Sequence, residues 1–372
     1  MKNCIVYGFV AAFLFSCSDQ VRDKTTPPAT KNIILFIGDG MGLSQVSASH
    51  FFKQGPVNFD RFTRIGLIKT SSSSHKITDS AAGATAFSTG KKTYNGAIGV
   101  DSDTIAYPTI LEILSQIGFS IGVVATSSIT HATPASFYSH VKSRMMHEEI
   151  AAQLVGSEVD YFAGAGSIYF SNRQDGINYF DSLTSKGFHI DTVELSSEVH
   201  FPQKYGYLLA PDAMPRMVEG RGDFLPRATR QAIEYLSQDP DGFFLMVEGS
   251  QIDWGGHENN SEYLISELID FDQAVGVGLD FAEKDQNTLV IVTADHETGG
   301  FTLSARIIQS ADTSITGMDS DYDSISPTFS TGGHSATLIP VFAWGPGSDE
   351  FSGIYQNTAI FDKMMSAVNS PQ

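Results

Sequence analysis

A chain of 372 residues that is 41% hydrophobic can bury one large core, which predicts a single big α/β domain rather than several small ones. Its formal charge of −19 and pI near 4.7 argue against nucleic acid or an anionic membrane surface as the main partner, because both reward positive patches. Such an acid excess fits a solvated acidic surface, or carboxylates gathered as ligands of divalent cations that neutralise them.

The chain opens with Lys2 before an apolar run, Ile5 to Phe15, which is too short to span a bilayer and reads as the core of a signal peptide. That run ends Leu14-Phe15-Ser16-Cys17, which resembles a bacterial lipobox, where cleavage before the cysteine leaves Cys17 to be acylated. An ordinary signal peptide with a chance cysteine is the alternative. The expected division is a lipoprotein signal peptide over 1–16, a tether over 17–30 that carries Pro27-Pro28, and a catalytic domain over 31–372. The protein is then expected to be exported and lipid-anchored in the cell envelope, in the periplasm or at the cell surface. Cys4 and Cys17 are the only cysteines, and Cys4 lies in the signal. The mature chain therefore has no disulfide and no thiolate zinc site, and any metal must use oxygen and imidazole ligands.

Four short apolar runs have the length of buried strands: Ile33 to Ile37, Ile121 to Ala125, Phe243 to Val247 and Leu289 to Val292. Helical patterns lie between them, which predicts a three-layer α/β sandwich, its central and mostly parallel sheet flanked by helices. The clearest helix runs from Glu262 to Phe281, with Leu264, Leu268, Phe271, Val275 and Leu279 on one face as a core stripe. Gly164 to Gly222 and the Ser-, Thr- and Asp-rich Gln309 to Thr331 read as variable decoration. No internal repeat is visible.

Chemistry gathers where the strands end. The first strand runs into Gly38-Asp39-Gly40-Met41-Gly42, so Asp39 stands at the carboxyl end of a parallel strand, where α/β sheets bind ligands. Thr78-Asp79-Ser80-Ala81-Ala82 opens an Ala-rich helix. Such a pair is often only an N-cap, but helix N–H groups can also hold an anion beside a nucleophilic Ser80. After the second strand come His131-Ala132-Thr133-Pro134 and then a basic helix bearing Arg144, whose planar fork matches two phosphate oxygens. Glu248 to Glu258 follows the third strand with Asp253, Trp254 and His257; Asp295-His296 follows the fourth; His334 comes last. Three histidines with several aspartates suit zinc, and oxygen-only groups such as Glu248 and Thr133 suit magnesium.

In these motifs and their order the sequence resembles the alkaline phosphatase family: GDGMG at 38–42, TDSAAGATA at 78–86, HATP at 131–134, EGSQIDWGGH at 248–257, TADHETGG at 293–300 and GGH at 332–334. The resemblance covers nearly all of 31–372. It implies two zinc ions and one magnesium ion per subunit. Asp253, His257 and His334 would hold the first zinc, and Asp39, Asp295 and His296 the second. Asp39, Thr133 and Glu248 would hold the magnesium. Ser80 would be the nucleophile and Arg144 would bind phosphate in a pocket shared with His131 and Trp254. Where the best-studied enteric bacterial enzyme has an aspartate, this chain has His131, which with Trp254 makes it look like the short, marine or cold-adapted bacterial branch. That change leaves open which ion takes the third site. A homodimer is also implied, with less room than usual for surface insertions.

The resemblance thus implies hydrolysis of small phosphate monoesters, of broad range, through a phosphoserine. Related metallohydrolases act on phosphodiesters or sulfate esters, or as phosphoglycerate mutases. Ser80 lacks the Pro-x-Arg context of a sulfatase, and Arg144 favours a monoester with a second free oxygen. A non-catalytic metal- or phosphate-binding lipoprotein is the reading from another class; the presence of Ser80, Arg144 and every expected ligand argues against it.

Overall fold

The protein is described here from a computed structural model, which defines residues 30–309 and 318–369 together with Met1. Cys17, the signal peptide and nearly all of the tether lie outside the described residues. The strands, in chain order, are β1 Asn32–Gly38, β2 Arg64–Lys69, β3 Ser120–Ser128, β4 Tyr161–Ala165, β5 Phe188–Asp191, β6 Lys204–Leu208, β7 Phe243–Gly249, β8 Thr288–Thr293, β9 Glu297–Thr298, β10 Thr302–Gln309, β11 Met318–Thr328, β12 His334–Ser335, β13 Ile339–Trp344 and β14 Gly353–Gln356. Ten of them form one sheet in the order β14-β2-β13-β8-β1-β7-β3-β4-β6-β5. Every pairing in it is parallel except those of β13 with β2 and β8.

The four apolar runs become the adjacent strands β8, β1, β7 and β3. Each is buried along its whole length, which is why the sequence shows continuous apolar runs there rather than alternation. Consecutive side chains on β7 reveal the layers. Phe243 packs against Phe281 of the helix Ser261–Asp285, while Phe244 stacks on Phe137, just past the short helix Ala132–Ala135. Neighbouring strand residues point to opposite faces, so helices cover both.

The long helix is capped by Asn260, whose side chain accepts from Tyr263 N, and ends at Gln286 in the left-handed region with φ 64°. All five predicted stripe residues are buried.

Three expectations need correction. Gly164–Gly222 is not decoration, because it supplies β5 and β6, which extend the main sheet beyond β4. Within Gln309–Thr331, Met318–Thr328 pairs antiparallel with β10 as a ribbon separate from the main sheet. Main-chain pairing joins the two strands, helped by Thr302 with Thr328 and Arg306 with Asp321, and with its defined side chains exposed or half-buried the ribbon shows no apolar period. Arg144 sits in a turn before the helix His147–Gly156, not on a basic helix.

Candidate metal centre and active site

The parallel strands deliver their C-terminal ends to one place. β1 ends at Gly38 and hands on Asp39; β7 carries Glu248 and leads into the helix Gln251–His257 with Asp253 and His257; β8 is followed by Asp295 and His296. In register, Ile37 lies between Glu248 of β7 and Thr293 of β8, so the residues that follow are neighbours across the sheet. Gly40 has φ 73°, and a Cβ there would lie 2.7 Å from Asp253 Cα. The glycine therefore serves both the turn and the close approach of the next element.

Three groups of ligand atoms result, each within 4.8 Å internally: Asp253 with His257 and His334; Asp39 with Asp295 and His296; and Asp39 with Glu248 and His131. The first lies toward the surface, with the His257 side chain 40% exposed, whereas Asp39, Asp295 and His296 are fully buried. The third differs from the expected set by including His131. Thr133 is buried beside Glu248, and its hydroxyl makes no hydrogen bond among the described residues.

The polar accounting points to cations. Both oxygens of Asp39, Asp295 Oδ2 and Glu248 Oε1 are buried without a hydrogen-bond partner among the described residues. Isolated carboxylates cost far too much in such a place unless a positive charge joins them. Burial and the charges of Asp295 and Asp253 hold the Asp39 carboxyl well above the usual carboxylate range. Burial, followed by the Asp295 charge, pushes Glu248 up to about 8. Asp253 moves the other way: burial opposes ionisation, but a hydrogen bond from His257 and the nearby imidazoles hold it low. The same contact raises His257 to about 9. Oxygen and imidazole donors in these numbers fit divalent ions of the zinc and magnesium type.

Ser80 is the first residue of the helix Ser80–Thr89, with Asp79 as N-cap. The serine is 2% exposed, and its Oγ lies 3.3 Å from His296 Nε2. Gly83 allows that approach, since a Cβ there would sit 2.8 Å from Asp295 Cβ. Asp79 accepts from Ala82 N through Oδ1, and from Gly96 N and Arg144 Nη1 through Oδ2. Arg144 Nη2 donates to His131 Nε2 at 3.1 Å. Because a guanidinium only donates, that nitrogen is an acceptor; burial, then the Arg144 charge, lower His131 to about 3. Trp254 meets His131 edge-on with centroids 5.9 Å apart. Arg144, His131 and Trp254 line a cavity of about 420 Å³ with Tyr169 and Asp212.

All the predicted residues within the described chain therefore converge on this site. Sequence reasoning missed the double duty of Asp79, and it missed Thr298 and Glu297. Glu297 binds Gln45, Ser335 and Phe301 N and so ties β9 to the segment bearing His334. Only Asp79 carried a local signal, its place before the helix.

Comparison with known proteins bears on the family. The family model described as alkaline phosphatase matches residues 30–322. Alkaline phosphatase 3 of Bacillus subtilis is 34% identical over 94% of this chain and 92% of its own length. The Escherichia coli alkaline phosphatase is 31% identical over 94% and 88%. Among solved structures, the alkaline phosphatase of the Antarctic bacterium TAB5 is 54% identical, with TM-score 0.88 over 93% of this chain and all of that one. A variant of it with aspartate in place of a histidine has magnesium bound in its M3 site, at TM-score 0.89 over the same shares of the two chains and the same identity. Shared architecture, a shared family model and full-length relatives above 30% identity lead to one conclusion: this chain is an enzyme of the alkaline phosphatase family.

Proposed function

We propose that the protein hydrolyses phosphate monoesters of broad range through a phosphoserine on Ser80, at a centre that holds two zinc ions and one magnesium ion. The observation that carries this reading is Ser80 Oγ at a helix N-terminus, 3.3 Å from His296 Nε2, beside buried carboxylate oxygens that lack hydrogen-bond partners among the described residues. Asp253, His257 and His334 would hold one zinc, and Asp39, Asp295 and His296 the other. Asp39, Thr133 and Glu248 would hold the magnesium, with His131 beside them. When bound, such ions act as Lewis acids that polarise phosphoryl oxygens and make nearby hydroxyl groups more acidic.

The protein's own groups do the rest. Arg144, held by Asp79 and His131, presents its guanidinium to two oxygens of a dianionic monoester. The first amides of the helix Ser80–Thr89 add partial positive charge at the same place. Ser80, its proton released to solvent, attacks phosphorus in line; the P–Oγ bond forms as the ester P–O bond breaks, and the alkoxide leaves and takes a proton from water. Water then cleaves the phosphoserine and frees inorganic phosphate and Ser80. His296 Nε2 is near enough to accept the serine proton, but it also faces Asp39 and Asp295 at 3.6 and 3.2 Å. Its role is that of a ligand, not of the base in a serine–histidine pair.

The same reading takes the mature protein as a homodimer, anchored to the cell envelope through lipid on Cys17 and meeting membrane only there. Acid quench during turnover of a monoester should trap phosphate on the peptide that contains Ser80. Phosphate on another residue contradicts the assignment.

A further inference from the structure

Two of the three histidines in the first two clusters share a pattern. His257 Nδ1 faces Gly332 O at 2.7 Å, and His334 Nδ1 faces Thr78 O at 2.9 Å. A backbone carbonyl only accepts, so both rings carry a proton on Nδ1 and turn Nε2 toward the cluster, where that of His257 faces Asp253 Oδ2 at 3.4 Å. His296 has no such carbonyl among the described residues. Its Nδ1 lies 3.2 Å from Thr298 Oγ1, and a hydroxyl can donate or accept.

The ambiguity is resolved by the other contact of Thr298. Its hydroxyl also meets Asp253 Oδ1, and an ionised carboxylate only accepts. The single hydroxyl proton is therefore spent on Asp253, and Oγ1 must accept from His296 Nδ1–H. Thr298 is fully buried. Its amide donates to Gly40 O, its carbonyl accepts from Gln45, and its methyl abuts the Gly256 backbone, where a Cβ would come within 3.0 Å. The side chain has no room to turn away.

We infer that Thr298 is a positioning residue that couples the two metal clusters: one hydroxyl orients Asp253 of the first and fixes the Nδ1–H tautomer of His296 in the second. Of the three groups that face these Nδ1 atoms, it alone is a side chain and can be removed by substitution. The inference rests on the two-cluster metal reading above. Outer partners of this kind typically change metal affinity by about 10–100-fold when removed.

The test is zinc affinity of the purified full-length protein, measured by competition with a chromophoric chelator for wild type, Thr298→Val and Thr298→Ser, with thermal melts of the metal-free forms to establish folding. Long-range ¹H–¹⁵N spectra report the His296 tautomer. Thr298→Val should lose about tenfold or more in zinc affinity and show a mixed or switched His296 tautomer. Thr298→Ser should restore both, because it keeps the hydroxyl. Thr298→Ala gives the same readout if the valine variant does not fold. A valine or alanine variant that binds zinc like wild type overturns the inference, as does a folded serine variant that fails to restore affinity. A wild type that binds no zinc overturns the metal reading and this inference together.

Discussion

Asp79 and Arg144 form an ion pair of 3.2 Å, and the second oxygen of the same carboxylate caps the helix that begins at Ser80. One side chain thus sets the proposed nucleophile and the proposed phosphate clamp in register. Asp79→Ala should cost about 0.5–2 kcal/mol in stability from the lost cap and weaken phosphate binding. Asp79→Asn can keep the cap through Oδ1, but its amide would face Arg144 Nη1 and Gly96 N, both donors. It should therefore keep most of the stability while still weakening phosphate inhibition. Denaturant unfolding and phosphate inhibition constants separate the two effects; equal losses in both variants would contradict this division.

Arg144→Ala should weaken inhibition by phosphate by on the order of 1.5–3 kcal/mol, the scale of hydrogen bonds to a charged group. Turnover at saturating substrate should persist at a reduced rate, since Ser80 and the cluster ligands remain. Unchanged phosphate inhibition would remove Arg144 from the site.

His131→Asp should raise magnesium affinity at the cluster of Asp39, Glu248 and Thr133. The neutral ring accepts from Arg144 through Nε2, which puts its proton on Nδ1, and Nδ1 is buried without a partner among the described residues. A carboxylate offers oxygen, which magnesium prefers. Magnesium titration calorimetry on both proteins checks this, and equal affinities would contradict it.

His140 donates to Gly99 O at 2.8 Å and to Glu112 at 3.0 Å. Burial opposes its charge, but the Glu112 and Gly99 hydrogen bonds outweigh burial and raise its pKa above the ordinary 6.5. Glu112 is lowered: burial works against it, and hydrogen bonds from His140 and Thr109 win. The stabilisation from His140 is therefore complete below its ordinary pKa and fades as pH rises through the raised value. The Glu112 part is present above the ordinary carboxylate pKa and fades as pH falls through the lowered value. The melting-temperature gap between wild type and His140→Phe should be larger at about pH 5.5 than at about pH 9. A gap that widens toward alkaline pH would contradict the pairing.

How far the sequence carried depended on burial and locality. β1, β3, β7 and β8 were legible because burial on both faces leaves unbroken apolar runs. β10 and β11 were not, since strands with mostly exposed side chains need no apolar period. The convergence of Asp39, Asp253, Asp295 and His296 was legible because residues that follow parallel strands are brought together at one edge of the sheet. The turn that holds Arg144 was misread as helix, because its position is fixed by Asp79 and by the bond from its amide to Gly96 O, neither of which is local in sequence. Thr298 stayed hidden for the same reason: its partner Asp253 lies 45 residues away in the chain.

The most direct test of the central claim is phosphate release from an aryl phosphate monoester at alkaline pH, before chelation, after it, and after zinc and magnesium are restored. The account predicts activity that is lost on chelation and regained fully only with both metals. Activity indifferent to chelation, or none in the metal-loaded protein, would contradict it.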